Sequence, residues 1–150
     1  MRLQSAIFTL EDTLFTPDGA AREGLDKVLA LFKMEGVWLG AVTALSADDA
    51  QKALDKAGLS PYFRFVLTES VALCGVDSGT MFERAMKRLH SQKGDTIVFS
   101  GALSAIQNAK DAGFRTVAVQ GCATVSDWAA MQKTATQSLT QYGELLADSM

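Results

Sequence analysis

Short apolar runs alternate with longer segments of helical periodicity along most of the chain. The first run, residues 6–10, stops abruptly at the acidic pair Glu11-Asp12. Brief apolar runs that end at turn residues and lead into helical patterns are typical of buried strands in a parallel sheet. The sequence therefore predicts a central strand at 6–10 and further strands at 37–43, 65–68, 96–99 and 115–119, with a short edge strand at 136–139.

Apolar residues at three- and four-residue spacing predict the helices between these strands. The first helix has an apolar stripe that includes Leu25 and Phe32, and Gly36 is placed to terminate it. Ser46 followed by Asp49 resembles a capping box at the start of the second helix. The predicted helices cover residues 18–34, 47–57, 79–90, 102–112 and 127–134, with a last helix ending near residue 147.

The regular alternation of strands and helices predicts the fold class. Strand–helix–strand units with right-handed crossovers build a parallel sheet covered by helices on both faces. We expect a three-layer α/β/α Rossmann-like domain with a mainly parallel sheet of five to six strands. The whole chain, residues 1–150, is predicted to form this one domain. A dinucleotide site is disfavoured, because Glu11-Asp12-Thr13 stands where a Gly-x-Gly turn would follow the first strand.

Composition and charge exclude several classes of protein. The formal net charge is −3 and no lysine or arginine cluster stands out, which argues against nucleic-acid binding. No apolar run approaches the ~18 residues that span a bilayer, so no membrane segment is expected. The N-terminus lacks the pattern of a signal peptide, and Cys74 and Cys122 are far apart without a metal or redox motif. These features predict a cytoplasmic protein with ordinary thiols.

Candidate chemistry lies where the predicted strands end, because ligands of open α/β sheets bind beyond the carboxyl ends of the strands. Thr9, Glu11 and Asp12 follow the first strand, Thr43 ends the second, and Ser100 follows the fourth. Thr9, Thr43 and Ser100 should sit together at neighbouring strand ends. With Gly101, they are candidates for binding phosphate or a neutral polar ligand with the help of helix N-terminal amides.

Four segments carry a resemblance to a known superfamily. Residues 8–14 read Phe-Thr-Leu-Glu-Asp-Thr-Leu, 41–43 read Ala-Val-Thr, 75–82 read Gly-Val-Asp-Ser-Gly-Thr-Met-Phe, and 98–113 begin Val-Phe-Ser-Gly. In this order the segments resemble the motifs of the haloacid dehalogenase-like superfamily, phosphatases and relatives that use an aspartyl-phosphate intermediate. The resemblance covers roughly residues 4–120 and implies the Rossmann-like fold of that superfamily.

The catalytic residues that the resemblance implies are largely replaced. Thr9 stands where the superfamily has its nucleophilic aspartate, Glu11 where it has the general acid/base, and Val76 where it has a lysine. Thr43 alone keeps the residue type that holds the phosphoryl group. A threonine hydroxyl, unlike a carboxylate, needs a base to become a nucleophile. The resemblance therefore implies a vestigial site at Thr9, Glu11, Thr43 and Val76.

The magnesium site implied by the resemblance is also depleted. Its acidic ligands align with Ser100 and Gly101, which leaves Glu11 and Asp12 as weak candidates to bind a metal. Magnesium in proteins usually takes one or two carboxylates among its oxygen ligands. We therefore expect no cofactor, with Mg²⁺ required only if the chain is an active hydrolase that uses rearranged residues.

Three functions follow as hypotheses. The first is a protein that has lost phosphatase activity and acts as a binding or regulatory scaffold, through self-association or a protein partner. The second is an active Mg²⁺-dependent phosphohydrolase that uses Glu11 or Asp12. The third is a small-ligand module that uses the pocket at Thr9, Thr43 and Ser100. The short segments after residue 15 and at 69–78 leave no room for the cap domain that many relatives insert, so an open, capless site is expected.

Three further side chains have structural interpretations. Trp38 falls within a predicted strand and is expected in the core. Trp128 is predicted either to lie in the core or to form part of a surface for a partner. His90 lies near the end of a predicted helix, where its charge would interact favourably with the helix dipole.

Overall fold

The computed structural model describes residues 3–121 and 123–148, with the backbone alone at Asp12 and at 146–148. Its six strands are β1 (Ser5–Thr9), β2 (Trp38–Thr43), β3 (Phe65–Thr68), β4 (Thr96–Ser100), β5 (Arg115–Val119) and β6 (Gln137–Leu139). Its helices are α1 (Glu11–Leu14), α2 (Leu25–Met34), α3 (Ala47–Ala57), α4 (Glu69–Ala72), α5 (Gly79–Arg88), α6 (Leu103–Asp111), α7 (Val125–Thr134) and α8 (Gly143–Asp148).

The six strands form one parallel sheet in the order β3-β2-β1-β4-β5-β6. Strand β1 lies between β2 and β4, with Ser5 opposite Trp38 on one side and Thr96 on the other. The chain crosses to the far side of β1 between β3 and β4, so this sheet has a topological switch point beside β1. The predicted three-layer α/β/α Rossmann-like class is confirmed.

Apolar side chains cover both faces of the sheet. Along β1, Ala6 and Phe8 belong to one buried cluster, whereas Ile7 belongs to the cluster on the opposite face. Phe8 stacks on Phe99 of β4, with 4.5 Å between ring centroids and 10° between the ring planes. On the other face Ile7 shares its cluster with Phe82 of α5. A strand buried on both faces explains the continuous apolar run at residues 6–10.

Local capping fixes the second predicted helix. The Ser46 hydroxyl accepts a hydrogen bond from the backbone N–H of Asp49 at 3.1 Å, and Gly58 closes the helix in a left-handed conformation (φ 73°). Both bounds of α3 agree with the predicted range. Capping residues act on backbone groups only a few positions away in the chain. The sequence alone is therefore sufficient to predict where this helix begins and ends.

The predicted start of the first helix is wrong. The helix was expected from residue 18, but α2 begins at Leu25, after Gly24 adopts φ 83°. The preceding chain folds back on itself instead, with an antiparallel bridge between Phe15 and Ala21 and a 2.8 Å hydrogen bond from Thr16 N–H to the Ala20 carbonyl. These backbone groups are paired within the turn and are therefore not available for a helix.

The predicted core position of Trp38 is also wrong. Its side chain is 40% exposed, and the guanidinium of Arg64 lies 4.0 Å from the ring centroid. Trp38 is the first residue of β2, where the strand emerges from the sheet edge and helices no longer cover it. The apolar pattern could not reveal this, since the strand continues into the fully covered residues Leu39 and Ala41.

The structure also places Trp128, His90 and Cys74, whose surroundings were predicted from the sequence. Trp128 is half-buried and packs against a small cluster that contains Met131, so it contributes to the core. His90 is exposed and left-handed (φ 54°) just beyond the end of α5. Cys74 is a half-buried free thiol, and Cys122 lies outside the described residues. Among the helices of the described ranges, none combines the length and apolar character needed to cross a bilayer.

Candidate active site

The carboxyl ends of β1, β2 and β4 meet at one edge of the sheet. Because these strands are parallel neighbours, Thr9, Thr43 and Ser100 all lie at this edge. Thr43 and Ser100 are fully buried, and Thr9 is 7% exposed. The edge coincides with the switch point beside β1, the usual location of a ligand site in an open α/β sheet.

A chain of three hydroxyl groups occupies the centre of this edge. Thr9 Oγ1 lies 2.6 Å from Thr13 Oγ1 and 2.8 Å from Ser100 Oγ. The backbone N–H of Gly101 donates to Thr13 Oγ1 at 3.0 Å, and that of Ala102 donates to Ser100 Oγ at 3.1 Å. Each hydroxyl therefore has two partners within the protein. These contacts satisfy the Thr9 side chain and leave it buried.

Thr43 forms a second, separate group. Its hydroxyl donates to Glu11 Oε1 at 2.5 Å and accepts from the backbone N–H of Leu45 at 3.0 Å. Glu11 itself is exposed at the start of α1. The structure thus places Thr9 and Ser100 in one hydrogen-bonded network and Thr43 in another, rather than all three hydroxyls around one shared pocket.

The segment after β3 covers the site from the side. The Val76 N–H donates to Glu69 Oε2 at 2.7 Å, and the Asn108 side-chain amide donates to the Asp77 carbonyl at 3.0 Å. Val76 and Asp77, with Thr9 and Glu11, line a cavity of about 40 Å³. Each water requires on the order of 10–15 Å³ of such space, so the cavity admits a few water molecules and not a phosphate monoester.

The electrostatics of this edge follow from the directions of the helices. Helices that connect parallel strands run antiparallel to them and begin at the carboxyl edge of the sheet. The first turns of α2, α3, α4 and α7 carry acidic side chains, which the helix dipole favours, whereas those of α5 and α6 carry none. The first-turn acids include Asp26, Asp48, Asp49, Glu69, Asp127 and Glu144. Near the candidate site itself, the described acids are Glu11, which accepts from Thr43, Glu69, which accepts from the Val76 N–H, and Asp127, which lines a cavity with Gly101.

The described side chains at this edge offer few ligands for magnesium. Among the described side chains, no three His, Cys, Asp or Glu lie close enough together to hold a metal ion. The two positions that end β4 and follow it are Ser100 and Gly101, both buried and without a carboxylate. Thr43 already occupies Glu11 Oε1, and the side chain of Asp12 is outside the described part. A hard cation would lack the ligands it prefers.

Comparison with known families decides the relationship. The sequence signature of the haloacid dehalogenase-like hydrolases matches residues 9–119. This chain belongs to that family. The match begins at Thr9 and ends at the last residue of β5, so it contains Thr9, Glu11, Thr43, Val76 and Ser100.

Solved structures share the fold over the full length of this chain. A haloacid dehalogenase-like family hydrolase from Streptococcus pneumoniae superposes with a TM-score of 0.80 at 11% identity, covering 99% of both chains. The HAD-hydrolase YfnB from Bacillus subtilis, solved with bound magnesium, gives 0.81 at 12% identity and also covers 99% of both. A Clostridium difficile protein assigned as a phosphatase gives 0.82 at 11% identity, with complete coverage of both chains. Likeness at this identity establishes the fold alone. Curated protein sequences gave no significant match.

Two residues that organise the site were not singled out from the sequence. Thr13 lies at one end of the hydroxyl chain, and its place in the motif at residues 8–14 was the available signal. Tyr142, fully buried, donates its hydroxyl hydrogen to the Thr13 carbonyl at 2.8 Å. Nothing near Tyr142 in the sequence indicates this contact, because the two residues lie far apart in the chain and meet only in the fold.

Proposed function

We propose that this haloacid dehalogenase-like protein has lost phosphoryl-transfer activity and acts as a binding or regulatory scaffold. The observation that carries the proposal is the hydroxyl chain of Thr13, Thr9 and Ser100. It occupies the position where phosphoryl transfer would need an ionised nucleophile and metal-binding carboxylates. In this chain the same position holds neutral groups that hydrogen-bond to one another.

The surroundings of Thr9 argue against its activation as a nucleophile. Removing a hydroxyl proton requires an adjacent base. The groups bonded to Thr9 Oγ1 are two other hydroxyls, and Glu11 directs Oε1 to Thr43 instead. His90, the single histidine of the sequence, lies beyond the end of α5 at the opposite edge of the sheet. Thr9 is thus a buried structural hydroxyl.

The charge of the site argues against an anionic substrate. Val76 supplies no positive charge, and the edge carries the acidic first turns of α4 and α7, with Glu69 and Asp127. A phosphate ester would meet this field without the magnesium or lysine that offsets its charge elsewhere. The cavity of about 40 Å³ at Thr9 gives equally little support to a small ligand bound at that residue, whereas Gly101 lines a separate cavity of about 420 Å³ with Asp127.

Hydrolysis assays test the proposal directly. We expect no turnover of an aryl phosphate or of a panel of phosphorylated metabolites, with or without Mg²⁺, above the level of a Glu11→Ala variant prepared in parallel. Losing several members of a catalytic set together removes essentially all of its contribution, since single losses already cost on the order of 10⁴- to 10⁶-fold. The variant controls for a contaminating phosphatase.

Turnover that requires Mg²⁺ and disappears in Glu11→Ala would overturn the proposal in favour of a rearranged hydrolase.

Thermal unfolding in Mg²⁺ and in inorganic phosphate provides a second readout. A ligand that binds the folded state alone raises its stability, by ~2.7 kcal/mol at a hundredfold excess over Kd. We expect no such shift relative to sodium chloride at matched ionic strength.

A further inference from the structure

The edge of the sheet opposite the candidate site has an unusual aromatic surface. We define the Trp38 surface as Lys33, Trp38, Arg64 and His90 with the two cavities between them. One cavity, of about 310 Å³, is lined by Trp38 and His90, and the other, of about 340 Å³, by Trp38, Lys33 and Arg64. Gly36 and Trp38 line both, so the two cavities adjoin on either side of the indole.

The exposed indole has no explanation in the fold itself. The cost of exposing apolar surface is roughly 25 cal/mol per Å², and the neighbouring strand residues Leu39 and Ala41 are fully covered. Met34, which ends α2 next to this edge, is 78% exposed. Tryptophan, arginine and methionine are enriched at protein–protein interfaces, and tryptophan and arginine dominate their binding energy.

Two cations, Lys33 and Arg64, line one cavity of this surface, and the exposed carboxylate Glu35 lies close to Lys33 in the chain. Neither Lys33 nor Arg64 forms an ion pair with a described residue, and the net charge of the chain is −3. Lys33 is accounted for by the helix dipole, because it lies in the last turn of α2. Arg64 is not in a helix, and its guanidinium stacks on Trp38 without a hydrogen-bonded acceptor among the described residues. Its N–H donors suit a carboxylate.

We propose that the Trp38 surface binds an acidic segment of a partner protein. An apolar side chain of that segment enters a cavity beside Trp38, and its carboxylates pair with Arg64 and Lys33. Charge complementarity identifies the occupant, since Lys33 and Arg64, neither of them in an ion pair with a described residue, border cavities with mixed apolar and polar linings. The inference is independent of whether the opposite edge turns over a substrate, so the two proposals succeed or fail separately.

A second copy of this chain is the competing occupant. Its carboxyl edge is acidic and exposes Val71 (59%) and Leu73 (80%). A contact between opposite edges of two copies would be heterologous and would continue into larger assemblies. Sedimentation velocity over a range of concentrations separates the two cases. Association that Leu73→Asp abolishes would overturn the proposal, whereas a monomer at all concentrations supports it.

Binding is measured in a Trp128→Phe background, where Trp38 is the remaining indole of the sequence. The probe is a capped peptide, Glu-Glu-Leu-Phe-Glu-Asp, titrated while tryptophan fluorescence is followed and checked by calorimetry. We expect saturable binding with a Kd below ~1 mM, weakened by added salt. The matched peptide Gln-Gln-Leu-Phe-Gln-Asn, which keeps the apolar side chains without the charge, should bind at least tenfold more weakly.

Variants assign the binding to this surface. Arg64→Glu should weaken the binding of the acidic peptide by at least tenfold, and Arg64→Gln should weaken it by less. Lys133→Glu, at an exposed position of α7, makes the same charge change elsewhere and should leave the binding of the peptide unchanged. Trp38→Ala is followed by calorimetry after circular dichroism shows that it folds, with Trp38→Phe as the milder substitution. Absent binding of the acidic peptide, equal binding of the neutral one, or equal effects of Arg64→Glu and Lys133→Glu would each overturn the proposal.

Discussion

At the scale of single residues, the candidate site is defined by hydroxyl groups that bind one another. Thr9 joins Thr13 on one side and Ser100 on the other, and backbone amides complete the network. Burying a polar group costs little free energy only when the group is hydrogen-bonded, so each hydroxyl of the network depends on the others. The network therefore stabilises the ends of β1 and β4 in a region where active relatives would accommodate charge and metal.

Replacing Thr9 with valine tests this network. Thr9→Val keeps the shape of the side chain but leaves Thr13 and Ser100 each without one partner. We expect a loss of about 1–3 kcal/mol in the free energy of unfolding, the usual cost of an unsatisfied buried polar group. Urea unfolding followed by circular dichroism gives the value.

Thr9→Ser is the matched control, because it keeps the hydroxyl and removes one methyl group, worth about 0.8 kcal/mol. Equal free energies of unfolding for Thr9→Val and the wild-type protein would show that the hydroxyl of Thr9 contributes nothing to stability.

Tyr142 should make the free energy of unfolding decrease at alkaline pH. Burial raises the pKa of the Tyr142 phenol far above its usual 10.0, although the positive charge of Arg22 acts in the opposite direction. A raised folded-state pKa gives stability that is fully present below pH 10 and is lost as the pH rises above it, because the unfolded chain releases the proton first. We expect the urea midpoint to fall progressively above pH 10.

Tyr142→Phe separates this effect from other titrations. The variant lacks the hydrogen bond to the Thr13 carbonyl, so it should lose about 1 kcal/mol at neutral pH and show a weaker fall above pH 10. Tyr62→Phe, at a half-buried position, is the control for general alkaline effects. Identical pH profiles for Tyr142→Phe and the wild type would contradict the assignment.

At the scale of elements, the turn between α1 and α2 positions the C-terminal helix. Gly24 adopts φ 83° immediately before α2, and a Cβ added there would lie 3.0 Å from the backbone nitrogen of Gly143, the first residue of α8. Helices α2 and α8 pack together, and Tyr142 precedes α8 directly. Through this close approach the C-terminal segment is held where Tyr142 reaches Thr13.

Gly24→Ala should therefore destabilise the protein beyond the cost of its backbone conformation. Gly58→Ala is a suitable comparison, because Gly58 has a similar φ of 73° but open space where a Cβ would lie. We expect Gly58→Ala to cost about 1–2 kcal/mol from the left-handed conformation alone. Gly24→Ala should cost more, since the collision with Gly143 adds to the same strain. Equal losses in thermal or urea unfolding would show that α8 moves away without cost.

At the scale of the whole molecule, charge is divided between the two edges of the sheet. The long helices between parallel strands begin at the carboxyl edge and end at the opposite one, and α2, α3, α5 and α6 carry bases in their last turns there. The carboxyl edge carries the hydroxyl network of Thr9, Thr13 and Ser100, whereas the opposite edge carries Trp38 and its two cavities.

The sequence by itself determined most of the elements and the fold class. Strand and helix periodicity, and caps such as Ser46 and Gly58, act over a few residues and can be read directly from the chain. The match of motifs, which is also local, predicts that Thr9, Glu11, Val76 and Ser100 replace catalytic residues of the family. Only the tertiary structure decided how those replacements are paired. Thr9 meets Ser100, and Tyr142 meets Thr13, across long separations in the chain that periodicity does not encode. The exposure of Trp38 was also decided by the fold, since burial depends on which neighbours cover a strand end and not on the strand's own pattern.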